Sequence, residues 1–423
     1  RQGLLMAHIL FVSYFFAPDG LSTAVLMSEL AQDLRAKGHR VTVLTTTPHY
    51  NDEPEAAARQ PLRPYWGRWV QESELNGIRV LHVYAAPKGS RVWSRALDYA
   101  RYHVLGTLLG LFAVERPDVL LAPSPPLTIG LQVWLLGLVR RAPFVYNVQE
   151  IYPDIAVKLG VLRNRALIWA MEEVEQFIYR RAARVSVISE RFRRTLETKQ
   201  VPADKLRVIA NFVDTDFVRP AARENAFSAE CRVGGKFTVL YAGNIGLTQG
   251  LETVLEAAQR LAGVRDIQFL IVGGGARREW LAQQLAERQV TNVTLLPYQP
   301  RSRVPEIYAS ADLCLVPMKA GTARDTFPSK VYTIMAAGRG VVASAEPDTE
   351  LAWVVEQAGC GWVIPPEDAA ALSDAVQYAY AHREELLDRG ARGRTYVVAH
   401  HSREAIAHKY DELICEVVAH GGQ

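Results

Sequence analysis

Three loops in the second half of the chain combine glycine, proline and lysine in ways that suit phosphate chemistry. The first is GNIGLTQG (243–250), where a strand end passes through three glycines to the start of a helix. Glycines let backbone amides approach phosphate oxygens, and the positive end of the helix dipole favours an anion. Tight turns between a strand and a helix use the same residues, so this loop alone does not establish an anion site.

The second loop, FPSK (327–330), opens a predicted amphipathic helix that ends at Gly338. Pro328 suits the first helical position, and Ser329 or a preceding residue can cap the helix. We expect free amides at the helix start, with Lys330 and Arg324 as neutralising charges for a diphosphate. The alternative is a solvated lysine.

The third loop, TLLPYQP (294–300), follows a strand, and its turn offers backbone groups and Tyr298 to the edge of a nucleobase. A plain turn explains the segment equally well. Nearby, VGGG (272–275), which contains Gly274, lacks the G-x-G-x-x-G spacing of dinucleotide-binding dehydrogenases. No acidic residue closes a following strand for a ribose, so a dehydrogenase is the least favoured enzyme class.

These loops fall between apolar runs that alternate with helical patterns along most of the chain, which is typical of parallel, doubly wound α/β sheets. The strand series restarts once, after a polar stretch at 219–236. The predicted strands are 8–14, 41–46, 77–84, 118–124, 143–148 and 184–189, then 237–243, 267–275, 293–298, 312–318 and 340–345.

The restart predicts two Rossmann-like doubly wound α/β domains that face a central cleft, as the length of 423 residues also favours. We place the first domain at 1–215 and the second at 216–400, with a C-terminal helix, 401–423, that crosses back onto the first. In such domains ligands bind at the carboxyl ends of the strands.

The charge is distributed unevenly between the two halves. Residues 1–210 carry a net charge of +8 and the remainder −5, for a total of +3. Only the front half is therefore expected to face something anionic, such as a membrane surface or a phosphorylated acceptor, although scattered solvated charge gives the same count. The front-half arginines include Arg63, Arg68, Arg91, Arg95 and Arg101.

Two apolar segments bear on the compartment of the protein, because they are similar to export or membrane segments. Residues 4–16 resemble the apolar part of a signal peptide, but His8 interrupts them and an amphipathic helix follows, so we predict a buried first strand. The segment 127–139 is too short to span a bilayer and is predicted to pack on the sheet, although it can also touch a membrane surface. With four dispersed cysteines, we expect a cytoplasmic protein without metal sites or disulfides.

Carboxylates near the end of a front-half strand are the candidates for acid–base chemistry. In NVQEIYPD (147–154), Glu150 or Asp154 can take a proton from a hydroxyl or stabilise a developing positive charge, or simply cap the following turn. If the fold is correct, Gly20 and Ser22 face the same cleft. The D-x-D pair at Asp214 and Asp216 is interpreted as an Asx turn and not as a metal site.

At this point the motifs resemble a known family. GNIGLTQGLE, FLIVGGG, NVTLLPYQP, ADLCLVPM and PSKVYTIMAAGRGVVAS occur in the order and spacing of the donor domain of glycosyltransferase family 4, which has the GT-B fold. YFFAPDGLSTAV, SPPLTIGL and NVQEIYPDIAVKLGVL are similar to its acceptor domain. The resemblance extends from about residue 8 to 418 and is strongest to bacterial surface-polysaccharide transferases of the N-acetylfucosaminyl and colanic-acid type.

The resemblance implies roles for particular residues. The family's two glutamates, which have seven residues between them, correspond to Asp325, which would orient the donor sugar as a catalytic group, and Thr333, which would meet the ribose hydroxyls. The Arg and Lys of its diphosphate loop are replaced by Asn244 and Gln249. Neutralisation of the phosphates then falls on Lys330, Arg324 and backbone amides. PSPP (123–126) replaces a histidine that the family often has.

The resemblance thus implies transfer of a sugar, with retention, from a nucleotide diphosphate donor, with UDP expected, to a hydroxyl of a lipid-linked saccharide in surface polysaccharide synthesis. Peripheral contact with an anionic membrane is expected, and neither nucleic acid nor a cofactor is. Two alternatives stay open, a sugar-nucleotide epimerase and an inactive scaffold of the same fold. The donor-binding candidates are Gly20, Ser22, Gly243, Asn244, Gln249, Gly274, Tyr298, Arg324, Ser329, Lys330 and Thr333; the catalytic candidates are Glu150, Asp154 and Asp325.

Overall fold

The computed structural model describes residues 6–50, 53–87, 92–324 and 326–421, with side chains except those of 92–96 and 421. The strands are β1 His8–Val12, β2 Arg40–Thr46, β3 Arg63–Trp66, β4 Val70–Leu75, β5 Ile78–Val83, β6 Val119–Ser124, β7 Phe144–Val148, β8 Arg184–Val187, β9 Leu206–Val208, β10 Phe237–Ala242, β11 Ile267–Val272, β12 Val293–Leu296, β13 Leu313–Pro317, β14 Gly340–Ser344 and β15 Gly361–Ile364.

The helices alternate with these strands in chain order. They are α1 Ser22–Ala36, α2 Pro54–Arg59, α3 Val92–Phe112, α4 Ile129–Arg140, α5 Asp154–Lys158, α6 Arg165–Arg181, α7 Glu190–Thr198, α8 Ala226–Glu230, α9 Leu251–Arg260, α10 Arg278–Glu287, α11 Val304–Ala309, α12 Lys330–Ala336, α13 Glu350–Ala358, α14 Ala369–Ala381, α15 Arg383–His400 and α16 Arg403–Gly421.

The chain divides into two compact units. The first comprises residues 1–154, 162–211 and 403–423, and the second comprises 155–161 and 212–402. The segment Ile155–Val161 lies in the range predicted for the first domain but groups with the second unit. The C-terminal helix α16 belongs to the first unit.

Each unit is built on a twisted, mainly parallel sheet. Among the described residues, the first sheet has nine strands in the order β3-β4-β5-β2-β1-β6-β7-β8-β9, and the second has six in the order β12-β11-β10-β13-β14-β15. Pairings in the second sheet are all parallel. The predicted doubly wound α/β architecture is confirmed, and its central strands are buried on both faces, as helices on both sides require.

The antiparallel edge of the first sheet was not predicted from the sequence. Strands β3, β4 and β5 pair antiparallel, and the turn between β4 and β5 is Asn76–Gly77, with φ of 48° and 79°. Two positive φ angles in a two-residue hairpin are the signature of a type I′ turn, for which Asn-Gly is the preferred sequence. The signal was therefore present in the chain. The short strands β9 and β15 were also missed.

Helix α16 is fixed to the first unit by polar contacts along its whole length. Arg403 donates to both carboxylate oxygens of Asp33 at 2.8 and 2.7 Å, and Tyr410 Oη accepts from Asn147 at 2.9 Å. Asp411 accepts from His39 Nε2 at 2.8 Å. These contacts explain why a helix at the end of the chain belongs to the unit at its beginning.

Asp411 also has a cysteine beside it, so that His39, Asp411 and Cys415 form a group with metal-ligand chemistry. The Ala7 amide, however, donates to His39 Nδ1. A metal-bound histidine normally donates its other ring N–H to an acceptor, and here that nitrogen faces a donor. The group therefore fits a hydrogen-bonded contact that holds α16 against the first unit, and not a metal centre.

No helix within the described ranges is long and apolar enough to cross a bilayer.

Candidate functional site

The ends of β10 and β11 form one glycine-lined backbone surface in the second unit. The Gly243 amide donates to Val272 O at 2.9 Å, and the Ile245 amide donates to Gly274 O at 2.8 Å. A Cβ on Gly273 would lie 1.9 Å from Gly243 O, so any other residue would push the two strand ends apart. Two glycine motifs that are 30 residues apart in the sequence thus form a single assembly.

Lys330 lies directly against this surface. Its Nζ is 3.8 Å from the centroid of the Tyr241 ring, and a Cβ on Gly243 would be 2.6 Å from the same atom. Part of the side chain is exposed, but Nζ is inaccessible to solvent and has no hydrogen-bond partner in the described part of the chain. Burial lowers the pKa of Lys330 to about 7. A buried ammonium without an acceptor is costly, and an anion at the glycine surface would supply that acceptor.

The start of α12 differs from expectation in two respects. The amides of Val331 and Tyr332 donate to the carbonyls of Pro328 and Ser329, at 3.1 and 3.0 Å, so they are already used. Ser329 has a helical backbone and makes no side-chain cap, so the idea that it caps the helix is wrong. Its hydroxyl and the Lys330 ammonium remain as the polar groups of this turn. Thr333 is half-buried one turn further along.

The other predicted loop residues have varied surroundings. Gln249 Oε1 accepts from the Gly246 amide at 3.1 Å, which makes Gln249 a brace within the loop. Asn244 is exposed, and its carbonyl accepts the Tyr241 hydroxyl. Arg324 is exposed and pairs with Asp348 at 3.0 Å. Asp325 lies outside the described residues.

Tyr298, the residue suggested to lie at the edge of a nucleobase, lies beside the glycine surface. Its Cβ is 3.8 Å from the position of a Cβ on Gly274, and the Gly273 amide donates to Leu296 O at 3.2 Å. The third loop is therefore adjacent to the glycines of VGGG, although 24 residues separate Gly274 from Tyr298 in the chain.

A charge cluster at the same loop was missed. Glu252, in the first turn of α9, pairs with Arg277 and with Lys319, the latter at 3.2 Å. The Arg277 guanidinium lies 3.8 Å from the Trp280 ring, and its amide donates to Ile245 O at 3.0 Å. A basic residue two positions after VGGG was the available signal. The cluster holds two cations beside the glycine surface, with one carboxylate between them.

In the first unit, the loop after β1 is organised by Asp19. Its carboxylate accepts from the amides of Leu21, His49 and Tyr50, at 3.2, 3.0 and 2.9 Å, which ties this loop to the one after β2. Gly20 follows Asp19, and the exposed Ser22 is the first residue of α1. Both predicted residues thus lie at the carboxyl edge of the first sheet.

Glu150 lies at the same edge, two residues beyond β7. Burial raises the pKa of its carboxyl to about 7. Burial also raises the pKa of Tyr152 to about 12, with further contributions from the negative charges of Glu150 and Tyr99. A carboxyl group with such a pKa is suited to proton transfer near neutral pH.

Its neighbour Gln149 has a supporting function. It accepts from Asn211 at 2.8 Å and donates to Asn147 at 2.7 Å, and Asn147 in turn donates to Ser186 and Tyr410. This buried polar chain fixes the end of β7 and therefore the position of Glu150.

Asp154 and Asp214 both have intramolecular partners. Asp154 accepts from Lys199, whose Nζ also donates to the buried Glu175 at 2.7 Å. Asp214 accepts from the amides of Asp216 and Phe217 at 3.0 and 2.8 Å, which is the Asx turn that the sequence suggested.

Two family models match the chain, one over each half. Residues 21–211 match the glycosyl transferase 4-like domain, and residues 222–396 match glycosyl transferases group 1. Together they extend over most of the chain, with a short gap near the predicted boundary.

Among curated proteins, a putative colanic acid biosynthesis glycosyl transferase, WcaI of Escherichia coli, is 27% identical over 375 residues, which are 86% of this chain and 90% of the relative. The probable glycosyltransferase WbjE of Pseudomonas aeruginosa is 28% identical over 68% of this chain and 72% of its own.

Solved structures share the fold at lower identity. Sucrose-phosphate synthase from Thermosynechococcus elongatus gives a TM-score of 0.78 at 22% identity, over 98% of this chain and 100% of that one. HepE of Anabaena, solved with UDP, gives 0.72 at 14% identity, over 97% and 100%.

Proposed function

Because this chain belongs to glycosyltransferase family 4 and has the GT-B fold, we propose that it transfers a sugar from a UDP-sugar to a hydroxyl of a lipid-linked saccharide, in surface polysaccharide synthesis. The observation that carries the donor assignment is the Lys330 ammonium, which is buried against the glycine surface without a hydrogen-bond acceptor among the described residues. UDP is favoured over other nucleotides because HepE was solved with UDP and with UDP-glucose.

In this proposal the diphosphate contacts Lys330, the hydroxyl of Ser329 and the backbone amide of Asn244, and the missing side chain of Gly243 leaves room for its approach. Arg277 and Lys319 add positive charge nearby, which offsets the absence of cationic side chains at Asn244 and Gln249. Tyr298 and Gly274 lie against the base, and Thr333 meets the ribose. Asp325 orients the sugar on the strength of the family resemblance alone.

The reaction requires that the diphosphate leave as an anion while positive charge develops on the sugar ring. Lys330 stabilises the departing diphosphate, and the Glu150 carboxylate accepts the proton of the acceptor hydroxyl or stabilises the oxocarbenium charge. Asp154, which is held by Lys199, positions the loop between Glu150 and α5. The product retains its anomeric configuration, as in the family. Retention here does not require the closely spaced pair of carboxyl groups that retaining glycosidases use. We propose that no metal ion takes part.

The acceptor is proposed to be lipid-linked, at the cytoplasmic face of a membrane. The net charge of +8 in residues 1–210 supports an anionic partner, and a diphosphate-linked lipid supplies one. The name of the relative WcaI supports a polysaccharide product.

Calorimetric titration with UDP, GDP and ADP, with and without EDTA, tests the donor site. We expect UDP to bind in preference to the others, to the same extent in EDTA. Lys330→Ala should weaken UDP binding more than tenfold, because one charge-assisted contact contributes about 1.5–3 kcal/mol. Lys236→Ala, at an exposed site of the same unit, is the control.

Unchanged affinity in Lys330→Ala would remove Lys330 from the diphosphate site. Nucleotide binding without transfer to any lipid-linked saccharide would favour the inactive scaffold, and turnover of the sugar nucleotide without an acceptor would favour the epimerase.

A further inference from the structure

Helices α3 and α4 of the first unit expose apolar side chains along their outer sides. The exposed residues are Leu97, Val104 and Phe112 on α3, and Leu135, Leu138 and Val139 on α4; we call them the α3–α4 face. Phe112 is 76% exposed and Leu138 is 63% exposed. Single exposed apolar side chains are common, but a contiguous group of them marks an interaction surface. Spacings of seven and eight residues on α3, and of three and four on α4, keep each set on one side of its helix.

The opposite sides of both helices are buried in the core of the first unit. Tyr102 and Leu109 of α3, and Val133 and Leu136 of α4, are completely buried. The Tyr102 hydroxyl also bonds Leu44 O of β2 at 3.3 Å. The helices therefore cannot rotate their exposed stripes inward without losing the sheet contact.

Two glycines bring the stripes side by side. A Cβ on Gly106 would lie 2.6 Å from Gln132 Nε2, and one on Gly110 would lie 2.8 Å from Leu136 Cδ2. His103 joins the pair through bonds to Gln132 at 3.1 Å and Thr128 at 2.8 Å. The close approach of α3 and α4 makes the exposed residues one continuous surface and not two separate stripes.

Arginines border this surface where α3 and α4 end. Arg140 donates to the carbonyls of Leu111 and Val114, at 2.9 and 2.6 Å, and Arg116 donates to those of Arg140 and Arg141. The guanidinium groups of Arg116 and Arg140 therefore lie at the ends of α3 and α4, where Phe112, Leu138 and Val139 are exposed. The neighbouring Glu115 is bound by Arg40.

The start of α3 has a mixed aromatic and basic border. The Arg101 guanidinium lies 4.3 Å from the Trp69 ring and 5.4 Å from the Tyr84 ring, and both rings are partly exposed. Asp98, the single carboxylate among residues 97–112 and 129–140, is paired with Arg101 at 2.8 Å. Tryptophan, tyrosine and arginine around an apolar surface are typical of protein segments that lie at a membrane interface.

We propose that the α3–α4 face docks on an anionic lipid bilayer, with its apolar side chains in the headgroup–acyl boundary and the arginines on lipid phosphates. A second copy of the chain is the less favoured occupant, because a symmetric dimer would bring two arginine-bordered faces together without an anion between them. The inference rests on the proposed function only in that a lipid-linked acceptor gives the docking a purpose.

Sedimentation with vesicles tests the proposal, with full-length protein and vesicles of phosphatidylglycerol and phosphatidylcholine in about equal parts, or of phosphatidylcholine alone. We expect binding to the anionic vesicles that weakens with salt. The double variant Phe112→Ser/Leu138→Ser should bind at least tenfold more weakly. Leu387→Ser is the matched control, because Leu387 is 64% exposed on α15 of the second unit.

UDP titration and circular dichroism of each variant establish that it is folded. Unchanged vesicle binding in the double variant would overturn the proposal, as would conversion of a lipid-free dimer to a monomer by the same substitutions without loss of vesicle binding. Wild-type protein that binds anionic vesicles but no nucleotide would contradict the proposed function and leave the docking surface standing.

Discussion

At the scale of single residues, burial shifts the pKa values of two candidate groups toward neutrality from opposite directions. It lowers the pKa of the Lys330 ammonium and raises that of the Glu150 carboxyl, each to about 7. Lys330 is charged below this pH, and Glu150 is charged above it. If the reaction needs the ammonium and the carboxylate together, it has its optimum near pH 7.

The pKa of Lys330 predicts how nucleotide binding depends on pH. Above pH 7 the ammonium of the free protein loses its proton, and diphosphate binding must restore it. UDP affinity should therefore fall as the pH rises from 7 to 9, by up to about tenfold per unit, with proton uptake on binding. Calorimetry in two buffers of different ionisation enthalpy measures both quantities. Lys330→Ala should lose the dependence, and an equally steep profile in that variant would assign it to another group.

The pKa of Glu150 predicts how the transfer rate changes with pH on the acidic side of the optimum. Below pH 7 the carboxyl is protonated and can no longer accept a proton, so the transfer rate at saturating donor should rise with pH through about 7. Glu150→Gln should lower kcat by about 10²–10⁴-fold and flatten this limb. UDP affinity, measured in parallel, should not change. A Glu150→Gln enzyme with the wild-type rate and profile would exclude Glu150 from the chemistry.

At the scale of elements, local sequence patterns predicted the strands and helices. The hydrogen bonds at the ends of these elements depend on which groups meet in the folded structure. The run of buried strands and the glycine turns was predicted correctly, because hydrophobic periodicity and backbone freedom are local properties. The capping of α12 was not, since its first amides bond within their own turn. The type I′ turn at Asn76–Gly77 was recognisable from its two residues.

The loop that contains Asp214 gives a prediction about metal dependence. Its carboxylate is occupied by two backbone amides, so the D-x-D pair has a structural explanation. Asp214→Asn keeps an oxygen acceptor for both amides and removes the charge. We expect transfer activity in this variant to match that of the wild type across added Mg²⁺, Mn²⁺ and EDTA. A loss that excess metal repairs would revive the metal-site interpretation.

At the scale of the whole molecule, the two units carry different sets of candidate residues. In the second unit, the donor candidates lie near the ends of β10, β11 and β12. In the first unit, the buried hydrogen bonds of Asn147, one of them to Tyr410 of helix α16, stabilise the fold. A ligand that binds only the second unit should therefore stabilise that unit directly.

UDP provides the corresponding test. At about 100 times its dissociation constant, it should raise the free energy of unfolding by about 2.7 kcal/mol, because it binds the native state alone. Thermal denaturation followed by tryptophan fluorescence and calorimetry should show the shift in the wild type. Lys330→Ala at the same UDP concentration should show much less. Equal shifts in both proteins would mean that UDP binds elsewhere.

The sequence by itself determined the two α/β series, the order of the motifs, the family and the glycine loops, because each of these depends on residues close together in the chain. Only the tertiary structure decided which side chains share a site. Lys330 meets Tyr241 and Gly243, Arg277 meets Glu252, and Asp154 meets Lys199, all across long sequence separations. Burial, which sets the pKa values of Lys330 and Glu150, likewise depends on the packing of whole elements and cannot be calculated from neighbours in the chain.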